Sequence, residues 1–187
     1  FRRVLFRSAQ DVVGEVLAGV DNTLAVAAML ASPAQPAVAD VDIDMLLAVA
    51  IADMPAAQRG RVHVERLAAT RTATMDLALM RLALRNLLAN ALAHSAADRP
   101  VIVRVSDSDE PLALLIDVVD QGPGIDPAVL PRLFERGAHG PRPGGRASHG
   151  LGLYIVQRVM ERHGGRARLL QTGPQGTTIR LELVQPA

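Results

Sequence analysis

The chain has 187 residues, of which 49% are hydrophobic and 21% charged, and its formal net charge is +1. This length suffices for one domain of ordinary size with some additional chain, and the balanced charge gives no reason to expect a nucleic-acid or anionic-membrane partner. The absence of cysteine excludes disulfides, thiolate chemistry and cysteine-ligated zinc, and no apolar run reaches the roughly 20 residues of a membrane span.

The first part of the chain predicts a leader, a helix and a linker. Residues 1–8, FRRVLFRS, look like a translated sequencing adapter, so we expect a non-native leader on an N-terminally truncated fragment. Apolar residues then recur at spacings of four and three, which predicts a helix with one apolar seam: Val13, Leu17, Val20, Leu24 and Ala27. This seam requires an upstream helix or a second copy of the chain as its partner. Pro33 and Pro36 indicate a linker.

The next segment predicts a strand, a helix and a second strand. Val41 and Ile43 suggest a short strand, and Asp44 is expected to cap the helix that follows it. Residues 61–67 alternate between apolar and charged side chains, which predicts an exposed strand with one buried side. His63 lies on this strand and is expected to face solvent.

A helix predicted from Met75 to His94 carries the run LRNLLANALAH. One arc of this helix is apolar and comprises Met80, Leu84, Leu87, Leu88 and Ala91. Asn86, Asn90 and His94 stack beside that arc at spacings of four. Asparagine is a poor helix former, so its side chains either hold a ligand or form a half-buried pair bonded to nearby backbone. The pattern by itself leaves both alternatives open.

Strands are predicted at residues 101–105 and at Leu112–Asp120, the second followed by Gly122 and Gly124. Asp120 ends the row that begins with Leu112, Leu114, Ile116 and Val118, all on one face. A carboxylate on a core-facing row needs a donor from a ligand or a bound water, and the two glycines let the backbone turn sharply beside it. The alternative is a solvated aspartate at the end of a strand.

The last third of the chain is rich in glycine. Pro127 is expected to open a short helix that contains Leu130, Leu133 and Phe134. The glycines and prolines of residues 135–149 predict an irregular segment, longer than a usual connection, that is either a functional lid or disordered. A helix is predicted over Gly150–His163, and the glycines of its first turn leave backbone amides open to a phosphate. A hairpin is predicted to end the chain.

Four features occur in one order: the asparagine helix, the Asp/Gly turn, LFERG, and a glycine-rich segment that leads into GLGLYIV. Together they closely resemble the ATP-binding domain of sensor histidine kinases, of the family shared with gyrase, Hsp90 and MutL. The resemblance covers residues 38–184 and implies an α/β fold, a two-layer sandwich with a mixed sheet packed on helices. It implies part of a dimerisation helix with its linker over residues 9–37 and an ATP-binding catalytic domain over residues 38–185.

The resemblance also implies roles for individual residues. Asp120 would accept a hydrogen bond from the adenine amino group, and Asn90 would coordinate the Mg²⁺ that bridges the phosphates, with Asn86 near them. The adenine slot would be shaped by Gly122, Gly124 and Ile125. The other implied nucleotide-binding residues are His94, Phe134, Arg136, Gly150, Leu151, Gly152 and Leu153. Four arginines near or in the lid are candidates for neutralising charge on the γ-phosphate: Arg132, Arg136, Arg142 and Arg146.

The residue at position 86 bears on the class of reaction. Gyrase-like ATPases carry there a glutamate that activates water, whereas Asn86 cannot act as a general base, so we expect phosphoryl transfer with Asn86 at the catalytic position. Two positions depart from the family pattern. Ala93 stands where a lysine or arginine is usual, and Ser148 stands where a glycine is common.

The resemblance implies the catalytic end of a two-component sensor kinase, which moves the γ-phosphoryl of ATP to a histidine and then to the receiver domain of a response regulator. The implied cofactors are ATP and Mg²⁺, and the implied assembly is a homodimer through the helical bundle. We expect a cytoplasmic domain, with no nucleic-acid partner and a membrane contact only through an upstream region. No histidine of the chain has the sequence context of the acceptor. The alternatives are a serine kinase of the anti-sigma-factor type and a nucleotide-binding adaptor without activity.

Overall fold

The computed structural model describes residues 19–20, 22–28, 35–138 and 150–186. These residues form the strands β1 (Ala39–Asp42), β2 (Val62–Arg66), β3 (Thr72–Met75), β4 (Val101–Asp109), β5 (Leu112–Val119), β6 (Arg166–Gly173) and β7 (Gly176–Val184). The helices are α1 (Ile43–Ala52), α2 (Ala56–Arg59), α3 (Leu77–His94) and α4 (Gly152–Arg162), with a 3₁₀ turn at Leu130–Arg132. Residues 19–20 and 22–28 are helical as well and are called the N-terminal helical segment. Arg142, Arg146 and Ser148 lie outside the described residues.

The main sheet has five strands in the order β2-β4-β5-β7-β6. Strands β2 and β4 are parallel, whereas the other neighbouring pairs are antiparallel. A separate two-stranded antiparallel sheet joins β1 to β3. Helix α3 packs against α1 on one side and α4 on the other, and the three helices form a layer over one face of the main sheet. The predicted two-layer fold with a mixed sheet is confirmed.

The core lies between this helical layer and the inward face of the sheet. All five residues of the apolar arc predicted for α3 are buried, at 4% exposure or less. On β5, Leu114, Ile116 and Val118 are buried as predicted, but Leu112 is exposed, because it lies at the outer end of the strand. The inward residues of β7 complete the core from the neighbouring strand: Ile179, Leu181 and Leu183.

Two element boundaries near the start of the domain differ from the prediction. Asp42, not Asp44, caps α1, because its Oδ1 accepts a hydrogen bond from the Met45 N–H at 2.8 Å. Ile43 therefore belongs to the helix. Met75 belongs to β3, a strand that the sequence did not predict, and α3 begins only after its cap at Asp76.

Two further boundaries differ after the Asp/Gly turn. The helix expected from Pro127 is reduced to a 3₁₀ turn that starts at Leu130. Helix α4 starts at Gly152 rather than at Gly150, because Gly150 adopts a φ of +60°, which is incompatible with a right-handed helix. Gly150 is therefore part of the approach to α4.

The N-terminal helical segment has two distinct faces. Val20 and Leu24 of the predicted seam are 51% and 62% exposed, whereas Val26 is 5% exposed and contributes to the core of the domain. The buried face was not predicted, and a partner for the seam stays a prediction. No helix within the described ranges is long and apolar enough to cross a membrane.

Candidate functional site

Asp120 lies directly after β5, beside the start of β7. Its Oδ1 accepts hydrogen bonds from the backbone N–H of Gly122 at 2.8 Å and of Thr177 at 3.1 Å. Burial raises the pKa of the Asp120 carboxyl above its ordinary value, although those two N–H groups and the charge of His94 act in the opposite direction. The carboxylate is thus oriented by backbone donors from two strand ends.

Close backbone contacts surround this turn. A β-carbon on Gly122 would lie 2.7 Å from the carbonyl oxygen of His94, and one on Gly124 would lie 2.7 Å from the carbonyl oxygen of Gly173. Gly124 also has a φ of +86°. The turn is therefore held between the C-terminal end of α3 and the β6–β7 hairpin, and both glycines are needed for the approach.

Two threonines that the sequence did not single out complete this end of the site. Thr172 Oγ1 accepts a hydrogen bond from the Ile125 N–H at 2.8 Å and lies 3.4 Å from Thr177 Oγ1. Thr177 is buried, and its backbone oxygen also accepts from the Asp120 N–H. They come from the final hairpin, and only its pairing with β5 brings them to Asp120.

Asn86 lies in the middle of α3 and is 8% exposed. Its Oδ1 accepts from Asn22 Nδ2 at 2.8 Å, while its Nδ2 donates to Leu82 O at 2.9 Å and to Asn22 Oδ1 at 3.3 Å. Asn86 is thus a buried amide bonded to backbone and to a second amide. The second amide belongs to the N-terminal helical segment and not to Asn90.

Asn90 lies one turn after Asn86 and is half-buried. Its side chain makes no hydrogen bond to another of the described residues, so its amide oxygen can serve a ligand. No group of three or more acidic or histidine side chains that could hold a metal ion occurs in the described ranges. A magnesium ion at this place would therefore combine the Asn90 oxygen with oxygens of a bound ligand and with water, a donor set that the ion accepts.

The N-terminal end of α4 lies against Asn86. A β-carbon on Gly152 would be 3.3 Å from Asn86 Oδ1, so the helix start approaches the amide closely because residue 152 has no side chain. Leu151, the N-cap residue, has no side-chain group that caps this helix end, and no other side chain of the described residues bonds to its first amides, which leaves them open to an anion. Gly150 O accepts a hydrogen bond from the Gly137 N–H at 3.1 Å, so the backbone on the two sides of residues 139–149 meets here.

The remaining predicted residues differ in their burial. Phe134, Leu151 and Leu153 are partly buried against the core. The bracing role of Phe134 stays a prediction. Arg132, Arg136, Ala93 and His94 are exposed. The cation nearest to Asn86 in sequence is Arg85, which was not predicted, and its Nη2 donates to Asn22 Oδ1 at 3.3 Å.

His163 has a structural position at the C-terminal end of α4. Its Nε2 accepts from the Asp76 N–H at 3.0 Å, and its Nδ1 lies 2.8 Å from Val159 O. Because a carbonyl only accepts, Nδ1 carries the proton and the ring is the neutral tautomer. His163 thereby joins the end of α4 to the start of α3. His63 is exposed on β2 as predicted.

Helix α3 connects the two ends of the site. His94 at its C-terminal end contacts the Asp120 turn, and Asn86, eight residues earlier, contacts the start of α4. Eight residues of α-helix rise about 12 Å. The site has a hydrogen-bond acceptor at one end, Asp120, and the first amides of α4 at the other, with the amide of Asn90 between them. This arrangement suits an elongated ligand with a donor group at one end and an anionic group at the other.

The family described as histidine kinase-, DNA gyrase B- and HSP90-like ATPase matches residues 75–187 of the chain. Among curated proteins, the chain is 34% identical over 152 residues to the sensor-like histidine kinase SenX3 of Mycobacterium tuberculosis, covering 79% of the chain and 37% of the relative. It is 40% identical over 94 residues to the signal transduction histidine-protein kinase/phosphatase MprB of Mycolicibacterium smegmatis, covering 50% of the chain and 19% of the relative.

Solved structures have the same fold. The mycobacterial sensor histidine kinase MprB superposes with a TM-score of 0.66 at 27% identity, covering 79% of the chain and 98% of that structure. Full-length ShkA in complex with AMPPNP superposes with a TM-score of 0.77 at 24% identity, covering 99% of the chain and 39% of that structure. The chain spans about a third of the length of the SenX3 relatives that it matches.

Proposed function

Because the chain belongs to the histidine kinase-, DNA gyrase B- and HSP90-like ATPase family, we propose that it is the ATP-binding catalytic domain of a two-component sensor histidine kinase. The relatives named as sensor histidine kinases support this choice within the family. It is favoured over a serine kinase or an inactive adaptor for the same reason. The activity of a whole kinase is part of the proposal, since the chain matches only 37% of SenX3.

The observation that carries the proposal is the position of Asp120 relative to α3. Its carboxylate is oriented by the N–H groups of Gly122 and Thr177, and the carbonyl of His94 lies against the same turn. Asp120 would accept a hydrogen bond from the adenine amino group, with Gly124 and Ile125 beside the ring. The AMPPNP complex of the structurally similar ShkA, which contains an ATP analogue, supports ATP as the nucleotide.

The phosphates would then extend along α3 toward the start of α4. The uncapped amides at Leu151 and Gly152 would receive the terminal phosphates. Asn90 would hold Mg²⁺ against the phosphate oxygens, where the ion supplies positive charge that stabilises the negative charge of the transferred group. Arg136 is an exposed candidate for further neutralisation.

The reaction we propose is transfer rather than hydrolysis. The bond between the γ-phosphorus and the oxygen of the ADP leaving group breaks, and the unprotonated nitrogen of a neutral imidazole forms a bond to phosphorus with its lone pair. The other ring nitrogen then loses its proton to solvent, which leaves a neutral phosphorylated ring. Asn86 has no basic group with which to activate water. The acceptor histidine would belong to the helical bundle upstream, and the receiver domain of a response regulator would be the next acceptor.

The proposed assembly is a homodimer through the helical bundle, to which the seam of Val20 and Leu24 would contribute. The exposure of both side chains supports this arrangement. The proposed location of the domain is the cytoplasm, where ATP and response regulators occur together.

The test begins with calorimetric titration of the purified chain with ATP and Mg²⁺. We expect saturable binding with very slow release of inorganic phosphate. Addition of a bundle segment that carries an acceptor histidine should produce acid-labile phosphate on that segment. Rapid steady hydrolysis that Asn86→Ala abolishes would contradict a transferase, and acid-stable phosphoserine would indicate the serine kinase. Weak nucleotide binding without any phosphoryl transfer would indicate the adaptor.

A further inference from the structure

We infer that Asn22 of the N-terminal helical segment holds the side chain of Asn86 by hydrogen bonds, so that Asn86 cannot bind the phosphates of the nucleotide until this segment moves. We call this contact the latch. The inference rests on the proposed function, because it specifies how the same site is regulated. Asn22 would act through Asn86 and without contacting the nucleotide, so it is a positioning residue.

The contact between the two amides is reciprocal. Asn22 Nδ2 donates to Asn86 Oδ1 at 2.8 Å, and Asn86 Nδ2 donates to Asn22 Oδ1 at 3.3 Å. Arg85 Nη2 donates to the same Asn22 oxygen at 3.3 Å. One side chain from outside the domain thus engages both an amide and a guanidinium of α3.

Both side-chain N–H groups of Asn86 already donate hydrogen bonds within the protein. An asparagine amide carries two N–H donors, and those of Asn86 go to Leu82 O at 2.9 Å and to Asn22 Oδ1. A phosphate oxygen is an acceptor and needs a donor. Asn86 therefore has no N–H to offer a phosphate while Asn22 is in place, although the start of α4 lies directly beside it.

The burial of the N-terminal helical segment agrees with a docked position. Val26, one helical turn after Asn22, is 5% exposed and packs into the domain core, whereas Val20 and Leu24 are 51% and 62% exposed. Asn22 and Val26 lie on one face because residues four apart share a face of a helix. A rotation of this helix would withdraw both residues together.

The inference predicts that removal of the Asn22 amide increases the affinity for ATP with Mg²⁺. Asn22→Ala is expected to lower the Kd roughly three- to tenfold, which corresponds to the release of one or two protein hydrogen bonds. The same substitution in an Asn86→Ala background is expected to change the Kd less than twofold, because the group through which Asn22 acts is then absent. A merely structural role for Asn22 would not produce this dependence on Asn86.

Thr23→Ala is the matched control. Thr23 is the adjacent residue of the same segment and is exposed, and its Oγ1 donates only within the segment, to Gly19 O at 2.9 Å. It should leave the Kd unchanged. The side-chain amide resonances of Asn86 in ¹⁵N spectra, recorded without nucleotide, should shift in Asn22→Ala and not in Thr23→Ala.

The outcomes distinguish the latch from the proposed function. An unchanged or weaker affinity in Asn22→Ala, with nucleotide binding intact, overturns the latch alone. Unshifted Asn86 resonances overturn it independently of any nucleotide. Failure of the wild-type chain and of Asn22→Ala to bind nucleotide overturns the proposed function and the latch together, whereas binding by Asn22→Ala alone supports both.

Discussion

The backbone carbonyl of His94 lies 2.7 Å from the position that a β-carbon on Gly122 would occupy. The end of α3 and the turn after Asp120 therefore meet with no space for a side chain between them. Asp120 Oδ1 would lie 3.1 Å from that same β-carbon. This contact joins the two motifs on which the proposed nucleotide site depends.

Gly122→Ala should lower the free energy of unfolding by about 1–3 kcal/mol, because the added methyl group meets backbone and not a flexible side chain. It should also weaken nucleotide binding, since the turn that orients Asp120 must shift. Urea denaturation and calorimetric titration measure the two effects.

Gly60→Ala is the control for this substitution. Gly60 has a φ of −64°, and a β-carbon there would meet nothing within 4 Å. The change should be neutral or stabilise by roughly 0.5 kcal/mol, because alanine restricts the unfolded chain. Equal losses in the two variants would contradict the steric explanation.

Asp120→Asn should weaken ATP binding roughly 10- to 100-fold, the range expected for a hydrogen bond to a charged acceptor. The amide oxygen can still accept from Gly122 and Thr177, but its NH₂ group would face the adenine amino group as a second donor. Thermal stability should not fall, because burial disfavours the charged carboxylate.

Asp126→Asn tests whether the effect is specific to the site. Asp126 lies in the same turn, is exposed, and accepts from the Ala128 N–H at 2.9 Å, which an amide oxygen also does. The Asp126→Asn variant should bind ATP with the affinity of the wild type. A comparable loss in both variants would assign the effect to the charge of the turn.

The affinity for ATP should fall as the pH is lowered from neutrality toward 3.8, the ordinary pKa of an aspartate. Burial raises the pKa of Asp120 in the folded chain, so the carboxyl takes up a proton above that value. It then loses its negative charge, and its protonated oxygen becomes a donor that cannot accept from the adenine amino group. The contribution of Asp120 to folding stability changes with pH in the opposite direction. The folded state binds this proton more tightly, so the contribution of Asp120 favours folding at acid pH and is lost as the pH rises through the folded pKa.

Titrations over this pH range, with the wild type and Asp120→Asn in parallel, measure the dependence. The ratio of the two dissociation constants should approach one as the pH falls. A ratio that is independent of pH would show that Asp120 does not titrate in the binding range.

Arg180→Leu should lower the free energy of unfolding by about 3 kcal/mol, because it leaves a buried carboxylate without its partner. Asp117 is 3% exposed, and its two oxygens accept from Arg180 Nε at 2.7 Å and Nη2 at 2.8 Å. The double variant with Asp117→Leu should recover most of the loss in chemical denaturation. A double variant as unstable as the single one would contradict the assignment to an unpaired charge.

Asn90→Ala should abolish the difference between ATP affinities measured with Mg²⁺ and with a chelator. The wild type should bind ATP more tightly when Mg²⁺ is present, since Asn90 is the proposed protein ligand of the ion. Asn90→Asp should keep the difference, because a carboxylate oxygen also binds Mg²⁺. A full Mg²⁺ effect in Asn90→Ala would exclude this residue as the ligand.

The sequence predicted the parts of the fold whose signals are local. The apolar arc of α3 follows the helical period and is buried, and the row of Leu114, Ile116 and Val118 on β5 is buried as well. The burial of Asp117 on the opposite face of β5 was not indicated by that row. Strand β3 was missed because its pairing partner is distant: Ala39 pairs with Met75. A four-residue strand, TATM, carries too few residues to display a period.

Part of the site could be predicted in the same way. Asp120 was expected to need a donor from a ligand or a bound water, whereas the structure supplies two donors from backbone N–H groups. The sequence pattern around Asp120 could not indicate that the Thr177 N–H is one of these donors, since Thr177 is 57 residues away in the chain. Nor could it decide between the two alternatives for Asn86, because the partner that answers the question is Asn22, 64 residues earlier.

The sequence by itself determined the family, the order of the motifs and the faces of α3 and β5 that become buried, because these follow from residue type and short spacings. Only the tertiary structure decided that Gly122 packs against the backbone of His94, that Arg180 pairs with Asp117, and that Asn22 forms hydrogen bonds with Asn86. Such contacts depend on hydrogen bonds and close packing between groups far apart in the chain. Their partners are selected by the folded geometry, which no local period encodes.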